Sequence, residues 1–83
     1  MRYQPINCEF HDVLEATASR GTVATLLFRD AHGATVERVE RILDVFAQQG
    51  AEYLQLSSGE RIRLDAIVSL DGVTLASFPL ASA

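Results

Sequence analysis

The chain has 83 residues, 48% of them hydrophobic and 22% charged, with a formal net charge of -4. This length predicts one domain, residues 1–83, whose folding hides only about 60% of the surface of the unfolded chain. The composition excludes a disordered chain, and no apolar run approaches the ~20 residues of a membrane-spanning helix.

The opening MRYQPINCEF lacks the continuous apolar stretch of a secretory signal. The lone cysteine, Cys8, has no partner for an internal disulfide, which suits a reducing compartment. Together these predict a cytoplasmic protein that does not engage a membrane. All seven basic residues are arginine, and eleven acidic residues outnumber them. Phosphate backbones require clustered positive charge, so direct nucleic-acid binding is not expected. A basic protein partner suits this sign better, because complementary fields orient docking.

Five glycines, Gly21, Gly33, Gly50, Gly59 and Gly72, cut the chain into short segments. The first segment predicts a helix. Asn7 is placed as its N-cap, offering a side-chain oxygen to a free backbone N–H. Helical spacing sets Phe10, Val13, Leu14 and Thr17 on one side and Glu9, Asp12 and Glu15 on the other. Gly21 is placed to stop it. The segment TVATLLFRD (22–30) reads as a strand buried on both faces, followed by a turn at RDAHG. The segment ATVERVERILDVFAQQ is open between two readings. Val36, Val39, Leu43 and Phe46 recur at helical steps, yet the short strands around it favour a long bent strand. Further on, AEYLQLS (51–57) alternates, with Leu54 and Leu56 on one face and Tyr53 and Gln55 on the other. SSGE makes a hairpin turn. ERIRLDAIVSL continues as strand, with Ile62 and Leu64 inward and Arg61 and Arg63 outward, and VTLASF closes the series.

Three stretches carry a family likeness. Pro5, Ile6, Asn7 and Cys8, followed by Asp12, Leu14 and Glu15, resemble the opening of the Rof-type (YaeO-like) Rho-binding antiterminators. GAEYLQL (50–56) is similar to the family's Glu-Tyr-Leu strand, and IRLDAIVSLDG (62–72) to its Arg-Leu-Asp-x-Ile strand and turn. The resemblance implies a mainly β fold with one N-terminal α-helix and a small, strongly bent Sm-like β-barrel. It thereby tips residues 34–49 towards a bent strand. It also implies a function: binding the N-terminal RNA-binding region of transcription termination factor Rho, a hexameric RNA translocase, and blocking RNA loading without covalent chemistry. Phe10 and His11 stand where the family often has a further acidic or aromatic residue. The loop before AEYL, often basic or polar in the family, is AQQG here.

The candidate partner contacts are Asp12 and Glu15 first, then Glu9, Cys8, His11, Gln48 and Gln49. Two carboxylates fixed on a short helix can pair with the arginines or lysines that otherwise hold RNA phosphate. Cys8, His11, Asp12 and Glu15 also share a helical side and are all metal-ligand types. A structural metal site usually draws on two segments, however, and the other histidine, His32, falls in a turn, so no metal and no cofactor is expected. A Cys-His-Asp catalytic set on one helix lacks an oxyanion turn and a pocket, so no enzyme activity is expected; Cys8 reads as a small, partly buried residue. Tyr53 reads as a cover for an open barrel end. Arg61 and Arg63 read as a solvated face paired with the nearby acids Glu52, Glu60 and Asp65. The competing functional reading is an Sm-like module that binds RNA directly, and a third is a binding module for another basic protein.

Overall fold

The structure, a computed structural model, describes residues 6–74. The first element is helix α1 (Cys8–Arg20). Asn7 caps it as its sequence predicts: Oδ1 accepts the Glu9 N–H at 2.7 Å. Gly21 ends it in the left-handed region at φ 66°, with its N–H shared between the carbonyls of Thr17 and Ala18. Pro5, which opens the family-like motif, lies outside the described residues.

Six strands follow: β1 (Val23–Arg29), β2 (Thr35–Gln48), β3 (Ala51–Leu56), β4 (Arg61–Arg63), β5 (Ile67–Leu70) and β6 (Val73–Thr74). They form an antiparallel sheet in the order β4-β3-β2-β1-β5-β6. Among the described residues its two edges are not joined, so the sheet is not closed. Of the expected last strand VTLASF, Val73 and Thr74 form β6; residues 75–78 lie outside the described residues.

Residues 35–48 are strand, which settles the segment left open by its periodicity. Residues 35–41 of β2 pair with β1, and residues 42–48 pair with β3. A bulge lies between the two halves: Ile42 faces Leu56 and Asp44 faces Gln55, leaving Leu43 without a partner in β3. The inward sequence is therefore Val36, Arg38, Glu40, Ile42 and then Val45, a two-residue step broken once by a three-residue step. Val39 and Leu43, placed on a helical stripe by spacing, are 58% and 56% exposed. Phe46 points away from the core and stacks on Tyr53. A bulged strand imitates helical period over one or two turns, because its inward residues are no longer evenly spaced.

Two other expectations are corrected. Strand β1 is not buried on both faces: Ala24, Leu26 and Phe28 are buried, Thr25 and Leu27 are half-buried, and Val23 is exposed. The run ERIRLDAIVSL is not one strand. A 3-10 turn at Leu64–Ala66 separates β4 from β5. The topology requires this break, since β4 pairs with β3 while β5 pairs with β1. Arg63 and Asp65 clamp the corner with a 2.7 Å ion pair. Leu64 still points inward and is fully buried.

Helix α1 closes the core by laying Phe10, Leu14 and Thr17 against the sheet. Phe10 and Leu14 join Leu26, Ile42, Leu54, Leu56, Leu64 and Leu70 at 0–1% exposure. Burying one such side chain contributes about 1.5–3 kcal/mol, so this cluster dominates the stability of a small chain. Thr17 is satisfied there because its hydroxyl donates to the Val13 carbonyl at 2.9 Å.

The inward row of β2 includes two charged residues between Val36 and Ile42. Arg38 lies over the Phe28 ring at 5.7 Å and pairs with Glu60 at 2.9 Å. Beside it, Glu40 accepts the Ser58 N–H at 2.9 Å and the Ser57 hydroxyl at 3.2 Å. The Ser58 backbone bond, more than any other contact, holds the Glu40 carboxyl below its ordinary value of 4.5. A lowered carboxyl stabilises the fold above the unfolded value and loses that contribution as pH falls through the folded one. Accordingly, thermal unfolding measured across the acid range should show wild type losing stability faster than Glu40→Gln once the pH drops below 4.5.

Candidate functional site

The exposed side of α1 carries the predicted acidic set. Glu9, Asp12 and Glu15 are all exposed, while Phe10 and Leu14 behind them are buried. The helix therefore sorts this stretch as its spacing predicts. The Asp12 side chain makes no hydrogen bond or ion pair among the described residues. Cys8 is exposed at the start of the helix, not partly buried. The first helical turn projects it away from the sheet, since Phe10 takes the inward direction.

His11 is the hub. Its Nδ1 lies 3.0 Å from Glu15 Oε1, one helical turn on, and its Nε2 lies 2.8 Å from Glu52 Oε2 on β3. Glu52 reaches the helix because it shares the inward side of β3 with Leu54 and Leu56. Both ring nitrogens therefore face carboxylate oxygens. The imidazolium donates to both, while a neutral ring donates to only one. This bridge fixes the Glu15 carboxylate and ties the exposed side of α1 to the sheet.

His11, Asp12 and Glu15 bring their ligand atoms within 4.8 Å of one another, and Cys8 is not in that group. All three come from one helix, and both His11 nitrogens are already engaged by carboxylates. The Cys8 thiol is not hydrogen-bonded to His11 among the described residues, so no paired nucleophile and base results.

Gln48 and Gln49 fall on a different surface. Gln49 and Gly50 form a two-residue hairpin turn with φ of 52° and 82°, the turn that suits the right-handed twist of paired strands. Gln48 leaves the acidic side altogether and bonds Arg61 at 3.4 Å. The structure thus brings together Glu9, His11, Asp12 and Glu15 but sets Gln48 apart from them.

Arg61 lies on the outer side of β2, β3 and β4, over the Phe46 ring at 5.4 Å. Phe46 and Tyr53 stack with centroids 5.6 Å apart. Tyr53 therefore covers a strand face rather than an open end. Of the acids expected around the two arginines, Asp65 pairs with Arg63, whereas Glu60 pairs with Arg38 and Glu52 with His11.

One site residue escapes the sequence reading: the sequence sets Glu52 beside the arginines, and its place opposite His11 follows only from the tertiary fold. No family model and no curated protein matches the chain. Among the described residues, no helix is long and apolar enough to cross a membrane.

The bridge through His11 yields a direct expectation. His11→Ala removes the contacts that link α1 to Glu52 and hold Glu15, so it should lower unfolding free energy by about 1–2 kcal/mol. Urea denaturation would measure this, and hydrogen exchange should quicken in α1 before it does in β1.

Proposed function

We propose that the chain is an interaction protein that docks on the RNA-binding region of transcription termination factor Rho and blocks RNA loading, thereby inhibiting Rho-dependent termination. One observation carries the reading: Glu9, Asp12 and Glu15 stand exposed on a helix whose opposite side is locked into the core by Phe10 and Leu14. A ridge held this way meets a basic surface with little further ordering, which lowers the cost of association. The likeness of the Pro5–Cys8 stretch, the 50–56 strand and the 62–72 segment to Rof-type antiterminators supplies the partner. Arginines or lysines that grip RNA would instead form charge-assisted bonds with Asp12 and Glu15. Competition then needs only overlap of the two sites. No covalent step belongs to this role, and it places the protein in the cytoplasm with its partner.

The same reading takes the sheet as an Sm-like barrel. What supports it is the 14-residue β2, which serves two half-sheets and bends at its bulge, as small barrels require.

A second reading has its own observation. The Phe46–Tyr53 stack with Arg61 over Phe46 resembles the aromatic and arginine platforms on which single-stranded bases stack. It would make the chain an Sm-like module that binds RNA itself. The net charge of -4 works against it, and Arg61 already covers one aromatic face.

Purified components separate the two. Charge reversal at Asp12→Arg and Glu15→Arg should abolish capture by Rho while circular dichroism stays unchanged, and wild-type binding should weaken as salt rises. Undiminished capture by the double variant would end the acidic-ridge reading. Retardation of a C-rich oligoribonucleotide by the isolated chain at moderate salt would instead favour the RNA platform, and Tyr53→Ala should then remove it.

A further inference from the structure

We propose that the cleft between the C-terminal half of α1 and the bulge of β2 receives one arginine or lysine side chain from a protein partner. This rests on the docking reading above and adds a defined anchor point to it. The cleft measures about 180 Å³ and is lined by Glu15, Ala18 and Ser19 of α1 and by Leu43, Asp44 and Val45 of β2. That is below the roughly 300–1,000 Å³ of pockets that enclose drug-sized ligands. It suits a single side chain better than a free metabolite.

The lining divides into two parts. Ala18, Leu43 and Val45 supply apolar side chains, and Glu15, Ser19 and Asp44 supply polar ones, two of them carboxylates. A long cationic side chain has the same division, an aliphatic stem and a charged head. The carboxylates are available to it. Glu15 bonds His11 through Oε1, and Asp44 accepts the Val45 N–H through Oδ1 at 2.9 Å. Among the described residues neither Glu15 Oε2 nor Asp44 Oδ2 has a hydrogen-bond partner, and no arginine pairs with either residue. A cationic side chain with an aliphatic stem therefore matches both parts of the cleft, whereas a phosphate meets two like charges.

The bulge makes the arrangement. Ile42 and Val45 both turn inward, so the residues between them turn out. Leu43 is left more than half exposed beside Asp44, on the side that faces Glu15. A regular strand would have paired Leu43 and carried Asp44 to the same side as Ile42. Bulges commonly re-aim side chains in this way. The exposed acids of α1 continue through Glu15 into the cleft, so one basic surface can reach the ridge and the cleft together.

The test has two arms on the full chain. In the first, the ¹⁵N-labelled protein is titrated with acetyl-Gly-Arg-Gly-amide, with acetyl-Gly-Gly-Gly-amide as blank. Amide shifts concentrated at Ala18, Ser19, Leu43, Asp44 and Val45, and lost in Asp44→Asn, are expected. Absence of shifts, or shifts centred on Cys8–Asp12 or on Phe46 and Tyr53, would overturn the cleft. In the second, Asp44→Asn and Leu43→Thr should each weaken binding to purified Rho by roughly 3- to 10-fold with the thermal midpoint unchanged. Unchanged Rho affinity in both variants, alongside loss of binding on reversal of Asp12 and Glu15, overturns the cleft and leaves the docking reading standing. If wild type does not bind Rho, the docking reading fails and the peptide arm alone decides the cleft.

Discussion

Leu43 has no partner in β3, and most of the architecture depends on that one unpaired residue. It lets a 14-residue strand serve two partners: β1 along its first half and β3 along its second. It also resets the phase of the strand, so that Ile42 and Val45 both reach the core although they are three residues apart. A regular strand would have carried Asp44 inward beside Ile42, and an unpaired buried carboxylate costs several kcal/mol. The bulge removes that conflict and adds local twist. The concave side it helps to form receives Phe10 and Leu14 from the helix.

The helix in turn depends on being filled from one side only. Phe10, Leu14 and Thr17 are buried and their neighbours are polar, so its rotation about its own axis is set by packing. Glu9, Asp12 and Glu15 are then exposed as a consequence rather than by separate contacts. His11 adds a polar tie between this face and the sheet, through Glu52. A short helix without such a tie frays readily, because isolated helices of this length are marginal in water. The charges of the acidic surface therefore sit on a scaffold that the hydrophobic core orients.

The corners show the same economy. Gln49–Gly50 and Asp71–Gly72 both take paired positive φ values, which match the twist of the strands they join. Asp71 is held further, because its Oδ1 accepts the Thr25 N–H while its own N–H donates to the Thr25 carbonyl. Asp30 organises the β1–β2 turn in a related way, accepting the N–H groups of His32 and Ala34. These polar residues give the turns partners that a small core cannot supply.

Local sequence by itself determined the helix, its Asn7 and Gly21 ends, its buried and acidic sides, and the turns at the glycines. Each follows from interactions within a few residues: a cap bond, a helical repeat, or a backbone position that only glycine takes easily. The alternation of AEYLQLS was legible for the same reason. Only the tertiary structure decided the rest. Val36, Val39, Leu43 and Phe46 carry a helical period, and pairing with β1 and β3 overrides it, because backbone bonds to two partners outweigh a local preference. The break at Leu64–Ala66 arises because β4 and β5 belong to different neighbours in the sheet. The meeting of His11 with Glu52, and the placing of Glu15 and Asp44 along one cleft, join residues far apart in the chain. No local pattern records such a meeting, since the energy that enforces it is the burial of a shared core rather than any property of the residues that meet.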